Sequence, residues 1–439
     1  MQQQHSVHAA PSRHDRWYEK LFLNPVLGHA TGLGILIAGA QFLSYQGAPR
    51  DENQATTLML LASIYLISMY LSQHIGRFAG GRALAWTLGT TLLSAGLVIT
   101  VVLLCRIGYA RTSLVVGMGL LLGLQTLSIL INRRFRHLKL AVVPSSLVGE
   151  MPRTRNVQWR YLARPELGDC RYDGLVVDMH ARLDDDWIRF ISHCSIAGLP
   201  VLDSGKVFEA IQGKVDLTRL KSTDLGSLQP SPVYLSAKRA LDLALSVLML
   251  PLIIPVCLVV ALLIRLDSPG PALFVQERVG RGNRVFRMYK FRSMRPDDGS
   301  KPQFADEDAH RITRLGAFIR KFRIDELPQI FNVLRGDMSL IGPRPEQPGF
   351  VERFEQEVPF YSYRHIIRPG ITGWAQVAHG YATDTESTRQ KVEHDFYYIK
   401  NLSLGLDLLI LMRTVRTVFT GFGPFKQWRK RTKPGFRSR

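Results

Sequence analysis

The chain has 439 residues, enough for two or three domains, and 46% of them are hydrophobic, with the highest density in the first third. A formal charge of +20 suits nucleic acid, anionic lipid or phosphorylated substrates, but the chain has no aromatic and basic motif of the known nucleic-acid-binding modules. The four cysteines have no C-x-x-C spacing, which argues against both a zinc site and a disulfide framework.

Four apolar runs in the first third are predicted to cross a membrane. They cover roughly residues 27–43, 55–73, 83–105 and 113–131, and each is close to the ~20 residues that a spanning helix needs. No small-residue cleavage site follows the first run, so a removable signal peptide is not expected. Lys and Arg are most frequent at the N-terminus, in the second loop and after the fourth run, which predicts that these segments are cytoplasmic.

The pattern changes at about residue 138, where a small α/β domain is predicted. "LKLAVVP", "DGLVVDM" and "LPVLD" are typical of short buried strands, and "DDDWIRFISHCSIAG" is typical of an amphipathic helix. Together they predict a Rossmann-like domain with a parallel sheet over residues 138–222. The turn after the first strand carries only Gly149, so a structural or homodimer-forming role is preferred over nucleotide binding.

A long apolar segment, residues 243–264, contains no charged residue and is long enough to span a membrane. Pro251 and Pro255 lie at its centre, where each favours a kink. Both of its flanks are basic, so a span would place one flank on the outer side against the charge rule. A helix that enters the cytoplasmic leaflet and returns, over about 237–266, is preferred to a plain kinked span.

Near the C-terminus, residues 402–420 are apolar but contain Asp407, Arg413 and Arg416. This pattern fits a helix in the membrane interface or a core helix equally well.

An acid pair, Asp325 and Glu326, stands in the basic stretch "RKFRIDELPQIFNVLRGDMSLIGPRP". Asp325 is predicted to cap a helix "ELPQIFNVL", with Pro328 in its first turn and Gly336 at its end. A simple cap is the plainest interpretation, but the surrounding basic residues suit a phosphate-bearing ligand. A carboxylate in such a field is expected to have a low pKa, and one acid could attack phosphorus while the other holds Mg²⁺.

Four ordered segments over residues 232–420 resemble the bacterial sugar transferases, the monotopic phosphoglycosyl transferases. They are "FVQERVGRGNRVFRMYKFRSM", the acid-pair stretch, "RPGITGWAQV" and "DFYYIKNLSLGLDLLIL". The four spans and the α/β insert make the whole chain similar to the large, membrane-spanning branch of that family. The resemblance implies a membrane protein of three parts: a four-helix transmembrane region (1–137), the Rossmann-like domain (138–222) and a re-entrant-helix α+β catalytic domain (223–439).

The resemblance also implies the reaction. Asp325 matches the family's nucleophile, which would attack a UDP-sugar, release UMP and hold the sugar phosphate covalently. Undecaprenyl phosphate would then accept the sugar phosphate, at the cytoplasmic face of a bacterial inner membrane, and start a polysaccharide repeat unit. Glu326 matches the partner that binds Mg²⁺.

Other site residues come from the same resemblance. Arg320 matches a phosphate-holding arginine, and matching motif positions are occupied by Lys290, Arg344, Arg368 and Asp395. Ion pairs with Asp337, Glu346 or other acids are the structural alternative for the basic residues, and a helix-surface ion pair is the alternative for Asp395.

The chain departs from the family after "GWAQV", where many relatives continue Asn-Gly-Arg or Asn-Gly and this chain has Ala378, His379, Gly380 and Tyr381. A sugar or nucleotide contact made by that arginine is therefore not carried over to this chain, and a lone loop histidine such as His379 is more often solvated than bound to substrate. The following "TDTES" favours a glucose or galactose donor over an acetamido sugar. A catalytically silent membrane scaffold is the competing function, and it predicts that the acid pair is dispensable.

Overall fold

The computed structural model describes residues 25–45, 52–76, 78, 84–135, 138–145, 151–152, 157–168, 170–220, 226, 228–295, 311–378 and 385–420. The chain divides into two compact units, Met1–Gln212 and Gly213–Arg439. The start of the second unit is fixed by Trp374, whose Nε1 donates to the Gly213 carbonyl at 2.6 Å, and by Val215, whose amide donates to the Glu393 carbonyl at 3.0 Å.

Helices form in all four segments predicted to be spans. They are α1 (Pro25–Tyr45), α2 (Glu52–Gly76), α3 (Leu84–Leu104) and α4 (Arg111–Phe135). The four helices share a buried cluster that includes Leu36 of α1, Ile64 of α2, Val98 of α3 and Leu121 of α4. Among the described residues, four helices are long and apolar enough to cross a membrane: Leu27–Ser44, Asn53–Gly76, Trp86–Leu104 and the later Pro232–Asp267. The side chains of α4 are described only in part.

The α/β region after these helices has the predicted parallel sheet. Its elements are β1 (Leu138–Val142), β2 (Val157–Tyr161), β3 (Gly174–Val177), α5 (Asp185–Ile196), β4 (Val201–Asp203) and α6 (Ser204–Gln212). The strand order is β2-β1-β3-β4, and every neighbouring pair is parallel. Three strands were expected from the sequence; β2, "VQWRY", is the additional one, and it is the edge strand, with two of its five residues half-buried and three exposed.

The second unit begins with α7 (Pro232–Asp267), a 36-residue helix that contains Pro251 and Pro255. Its two ends are buried against the rest of the unit. Near the start, Lys238 Nζ lies 2.7 Å from Asp407 Oδ2, and near the end Val260 and Ile264 pack against Phe291 and Ile319. The apolar middle of the helix is mostly exposed.

The remaining elements of the second unit surround a short hairpin and a second strand pair. They are β5 (Leu273–Val279), β6 (Val285–Phe291), α8 (Arg314–Lys321), a 3-10 turn (Ile324–Glu326), α9 (Gln329–Arg335), β7 (Ser339–Ile341), α10 (Pro348–Glu357), a second 3-10 turn (Tyr361–Ile366), β8 (Gly370–Thr372), α11 (Trp374–Ala378), α12 (Thr385–Lys400) and α13 (Leu404–Thr420). Strands β5 and β6 are antiparallel, and β7 and β8 are parallel. The unit therefore combines helices with two small sheets.

Helix α13 coincides with the C-terminal apolar segment, and one of its faces lies in the core. Leu406, Asp407 and Ile410 are buried. Asp407 accepts hydrogen bonds from the hydroxyls of Tyr234 (2.9 Å) and Tyr398 (2.7 Å). This face supports the core-helix interpretation, while Leu404 and Leu411 on the other side are exposed.

The glycines of "LIGPRP" and "RPGITGW" allow β7 and β8 to lie close together. A Cβ on Gly370 would lie 2.0 Å from the Gly342 amide nitrogen, and a Cβ on Gly342 would lie 2.4 Å from the Arg368 carbonyl. Neither glycine has a positive φ. Close backbone approach, and not a special turn conformation, therefore requires these two residues to be glycine.

Candidate active site

The acid pair lies in the 3-10 turn between α8 and α9, and not at the cap of a helix as predicted. Pro328 occupies the N-cap position of α9 without a side-chain hydrogen bond. Gly336 ends the helix in a left-handed conformation with φ 98°, which confirms the predicted stop. The prediction for Asp325 was wrong because Arg323, at φ 57°, turns the chain before the acids and starts a separate 3-10 turn.

Glu326 is buried, and its charge is balanced by two arginines. Arg323 Nη1 donates to Glu326 Oε1 at 3.0 Å, and Arg344 Nη2 donates to the same oxygen at 2.9 Å. Despite burial, these arginines together with Lys290 lower the pKa of Glu326 to about 2. Glu326 is therefore ionised throughout the neutral range.

Asp325 has a different environment, and the expected low pKa is wrong for it. Burial and the neighbouring charge of Glu326 raise the pKa of Asp325 to about 6, although Lys290, Arg323 and Arg320 act in the opposite direction. The two nearest guanidinium contacts are made to Glu326 instead. The side chain remains mostly ionised at pH 7, which is the form that a nucleophile requires.

One oxygen of this carboxylate is left without a partner. Asp325 Oδ1 is buried and accepts no hydrogen bond from any described residue. The same is true of a donor nearby, because Arg320 Nη1 is buried and unbonded within the described part of the chain. Unpaired buried polar atoms are costly, and they are expected where a ligand completes the site.

Lys290 lies in the same charge cluster, on β6. Burial and the positive charges of Arg344 and Arg278 lower the pKa of Lys290 to about 7, while Glu326 and Asp325 raise it. Near neutral pH the lysine therefore carries its proton only part of the time, and a bound phosphate would favour the charged form.

Asn332 fixes the strand of Lys290 against the helix that follows the acid pair. It is fully buried, its Oδ1 accepts from the Tyr289 amide at 3.1 Å, and its Nδ2 donates to the Arg287 carbonyl at 2.7 Å. These two bonds hold the backbone of β6 next to α9. The position of Lys290 relative to the acids is thus set by an uncharged residue.

Asp395 contributes to the site only indirectly. Its Oδ2 lies 2.7 Å from Arg364 Nη2, and both side chains are almost completely buried. Arg364 Nη2 also donates to the carbonyl of Arg344 at 2.9 Å. The helix-surface ion pair considered from the sequence is therefore a buried pair, and it supports the backbone of an arginine that binds Glu326.

Arg368 is not among the described contacts of the acid pair. Its Nε donates to the Gly336 carbonyl at 2.9 Å, and its charged neighbours are Arg239, Arg281 and Asp242. The structure thus brings Lys290, Arg320 and Arg344 to the acids and places Arg368 elsewhere.

Of the basic site residues, Arg344 pairs with an acid, Glu326, whereas Glu346 and Asp337, the two acids named as alternative partners, have other partners among the described residues. Glu346 pairs with Arg278 at 3.5 Å and with Lys391. Asp337 accepts a hydrogen bond from Asn332 Nδ2 at 3.3 Å.

The sequence did not assign roles to three residues that shape the site. Arg323 was seen only as part of the basic field, although its i, i+3 spacing from Glu326 is a signal for a pair. No sequence pattern around Asn332 predicted its role. Gln376 of "GWAQV" accepts a long hydrogen bond of 3.4 Å from Arg344 Nη1. His379 and most of "TDTES" lie outside the described residues.

The residues at the acid pair fit a Mg²⁺ ion that is shared with substrate. The described residues include no cluster of three or more acidic, His or Cys ligands. Mg²⁺ is, however, commonly held by one or two carboxylates together with water and substrate phosphates. The unbonded Asp325 Oδ1 and the second oxygen of Glu326, to which no described residue donates, are suited to that arrangement.

Comparison with known proteins shows the family of the chain. A family model described as "Bacterial sugar transferase" matches residues 233–421. A relative from Aeromonas hydrophila is 43% identical over 423 residues, which cover 94% of this chain and 98% of the relative. The chain therefore belongs to the bacterial sugar transferase family, and it is a transferase with membrane-capable helices.

The relatives carry two kinds of name. The Aeromonas hydrophila protein is named UDP-N-acetylgalactosamine-undecaprenyl-phosphate N-acetylgalactosaminephosphotransferase. A protein of Xanthomonas campestris pv. campestris, 41% identical over 46% of this chain and 42% of its own length, is named UDP-glucose:undecaprenyl-phosphate glucose-1-phosphate transferase. An Escherichia coli (strain K12) protein, 42% identical over 42% of this chain and 40% of its own length, has that same name.

Proposed function

We propose that the protein transfers a sugar 1-phosphate from a UDP-sugar to undecaprenyl phosphate and so begins the synthesis of a polysaccharide repeat unit. In the first step a carboxylate oxygen of Asp325 attacks the sugar-bearing phosphorus, the bond to the bridging oxygen breaks, and UMP leaves with that electron pair. In the second step a phosphate oxygen of undecaprenyl phosphate attacks the same phosphorus. The Asp325 carboxylate leaves, and the product is undecaprenyl diphosphate sugar.

The observation that carries this proposal is the buried, unbonded Oδ1 of Asp325 beside an ionised Glu326 and three basic residues. An unsolvated carboxylate oxygen is a stronger nucleophile than one bonded to water or to an arginine. Arg320 has a free buried donor for the transferred phosphate, and Lys290 supplies a second positive charge. These contacts also count against the scaffold alternative, in which no reason exists to bury an acid without a partner.

Mg²⁺ belongs to the proposal as a bound ion that neutralises diphosphate charge. Glu326 would hold it through Oε2 while Oε1 stays with Arg323 and Arg344. Arg344 thereby orients the acid, and Arg364 orients the backbone of Arg344.

For the membrane arrangement we propose that α7 enters and leaves the same leaflet. The contacts at both of its ends with the second unit support a return of the helix to that unit. The proposed location is the cytoplasmic face of a bacterial inner membrane, where a soluble UDP-sugar and a lipid phosphate can both reach the acid pair.

For the donor we propose UDP-N-acetylgalactosamine as the first candidate and UDP-glucose as the second. The relative matched over nearly the whole chain is named for the acetamido sugar, whereas the relatives named for glucose in the comparison above match less than half of it. This ranking departs from the glucose or galactose preference drawn from "TDTES".

The experiment is UMP release by the purified full-length protein in nanodiscs with undecaprenyl phosphate and Mg²⁺, over a panel of UDP-sugars. Wild type is compared with Asp325→Asn, and Glu352→Gln on α10 is the control for loss of an exposed acid outside the site. The proposal expects release with one sugar, no release from Asp325→Asn, and a sugar phosphate bound to the wild type when undecaprenyl phosphate is withheld. Full activity in Asp325→Asn would remove Asp325 as the nucleophile.

A further inference from the structure

A second cluster of basic side chains lies at the start of α7, apart from the acid pair. Three arginines, Arg239, Arg281 and Arg368, line a cleft that also contains Lys238 and Asp242. We call these three residues with their surroundings the arginine cleft. Its arginines come from three separate parts of the second unit: the helix α7, the turn after β5 and the segment before β8.

Two of the arginines have a structural role that explains only part of the cluster. Arg239 donates to the carbonyls of Val333 (2.6 Å) and Leu334 (3.1 Å), and Arg368 Nε donates to the carbonyl of Gly336. They therefore satisfy the carbonyl end of α9. The terminal amino groups of Arg368 have no hydrogen-bond partner among the described residues, and neither does the guanidinium of Arg281.

The acids nearby do not balance this charge. Asp242 Oδ2 accepts from the Ser339 hydroxyl at 2.7 Å, and its Oδ1 lies 3.9 Å from Lys238. Lys238 pairs more closely with Asp407. Burial and the positive charges of Arg239 and Arg281 lower the pKa of Arg368, and Asp242 acts in the opposite direction.

The turn that presents Arg281 is held in a specific conformation. Gly282 and Asn283 both have positive φ angles, 66° and 59°. Asn283 Oδ1 lies 2.5 Å from Nδ1 of the buried His365. The turn, held by this contact with a buried residue, places an exposed arginine near two like charges, and a cleft lined by one sign of charge favours an anionic ligand.

The cleft is close to the membrane segment of α7. Arg239 precedes the uncharged run that starts at residue 243 by four residues, about 6 Å of helix rise. Apolar side chains of Leu235, Ile367 and Leu402 complete its wall. An anion bound here would therefore lie at the depth of lipid headgroups, with apolar contacts beside it.

We propose that the arginine cleft binds the phosphate group of a membrane lipid. Guanidinium groups suit this ligand because their planar N–H pairs match phosphate oxygens. The phosphate has two sources, a polyisoprenyl phosphate or the headgroup of a bilayer phospholipid. The choice of a polyisoprenyl phosphate rests on the proposed function, in which the cleft holds the acceptor before it reaches the acid pair.

The test measures lipid binding to the full-length protein in detergent by native mass spectrometry, with no UDP-sugar present. The probes are a short-chain polyisoprenyl phosphate, dioleoyl phosphatidate and inorganic phosphate. The variants are Arg281→Gln and Arg368→Gln, with Arg284→Gln as a control that removes an exposed arginine three residues away and outside the cleft. Arg281→Gln breaks no described contact, so its result does not depend on the capping of α9.

Loss of a charged hydrogen bond is expected to weaken lipid binding about tenfold in each cleft variant, with no change in Arg284→Gln. Tighter binding of the polyisoprenyl phosphate than of phosphatidate would identify the acceptor as the ligand. Equal binding of the two would identify a bilayer phospholipid headgroup as a ligand, and both outcomes support a lipid-phosphate site in the cleft. Lipid binding that is unchanged in both cleft variants, or seen only with inorganic phosphate, overturns the proposal. Because no sugar is transferred in this assay, failure of the proposed reaction would leave its result unaffected.

Discussion

The neighbouring carboxylates of Asp325 and Glu326 differ in their chemistry because the two guanidinium contacts are made to Glu326. Both are buried, yet Glu326 receives two guanidinium contacts on one oxygen, whereas Oδ1 of Asp325 receives none from the described residues. Their pKa values move in opposite directions for that reason. Pairs of acids whose environments separate their pKa values are characteristic of sites that divide two chemical tasks.

Glu326→Gln tests this division. The amide keeps the shape of the side chain but removes the charge that Arg323 and Arg344 neutralise, so we expect UMP release to fall by about 100-fold or more. The measurement is kcat at saturating UDP-sugar, with Glu352→Gln on α10 as the control for loss of an exposed acid. Equal loss in both variants, or none in Glu326→Gln, would show that the ionised side chain is not needed.

His365 predicts a pH dependence of stability. Burial and the charge of Arg364 lower the pKa of His365 to about 3, although Glu346 opposes them. The unfolded chain binds a proton at about pH 6.5 and the folded chain does not, so stability is complete above pH 6.5 and is lost as the pH falls toward 3. The loss approaches about 1.4 kcal/mol per pH unit in that window.

Thermal unfolding of the wild type and His365→Gln between pH 4 and pH 8 measures this effect. Glutamine can still donate to Asn283 and does not titrate, so the gap between the two curves should close as the pH is lowered. A gap that stays constant over this range would mean that the histidine does not titrate as its burial requires.

At the scale of elements, the approach of β7 to β8 is the contact that a single methyl group should break. Gly370→Ala places its Cβ 2.0 Å from the Gly342 amide nitrogen and 2.5 Å from the Thr372 carbonyl. Both are backbone atoms that cannot move separately, so we expect a loss of about 3 kcal/mol or more in the free energy of unfolding. The displaced strand pair would also shift Arg344 and reduce activity.

Gly349→Ala is the matched control for this substitution. Its Cβ would meet no atom within 4 Å, and the residue lies in α10. Alanine is favoured over glycine in a helix by up to about 1 kcal/mol, so this variant should be neutral or slightly more stable. Denaturant unfolding of the two variants compares them directly, and equal stability of the pair would contradict the close approach of the strands.

Elements with a strong periodic pattern could be predicted from the sequence, and contacts between distant segments could not. The apolar runs and the strands β1, β3 and β4 were found because each has a local pattern. Strand β2 was missed because its edge position leaves three of its five residues exposed. The acid pair was found from its motif, but its 3-10 turn depends on the left-handed Arg323, and the pKa of Asp325 depends on which acid the arginines reach.

The side-chain contacts of Arg368 and Asp395 could not be predicted from the sequence because they are tertiary contacts. Arg368 stands in a motif next to "PGITGW", yet its side chain points to the end of α9 and not to the acids. Asp395 has a surface-like sequence pattern, yet it is buried with Arg364. Neither outcome is encoded in local spacing, because both depend on how α9 and α12 pack within the second unit.

In the membrane arrangement of the whole molecule, α7 is longer than the apolar core of a bilayer is thick. A straight helix of 36 residues extends about 54 Å, whereas the apolar core of a bilayer is about 30 Å thick. Leu248, Leu252 and Leu258 in its middle are exposed, and both of its ends are attached to the second unit. Prolines at 251 and 255 give the position at which such a helix can bend.

Labelling of single cysteines with a membrane-impermeant maleimide decides between a returning helix and a span. Ser236→Cys and Asp267→Cys lie in exposed positions near the two ends of α7, and a returning helix leaves both on the same side of the membrane. We expect both to react only after cells are permeabilised, in a background where all four native cysteines, at positions 105, 170, 194 and 257, are replaced. A variant that retains Cys105 alone is the control, because Cys105 follows α3 in a loop predicted to be on the outer side and should react in intact spheroplasts. If one of the two α7 positions reacted without permeabilisation, the helix would be a span. Its two ends would then lie on opposite sides of the membrane, and the acid pair could lie on the same side as only one of them.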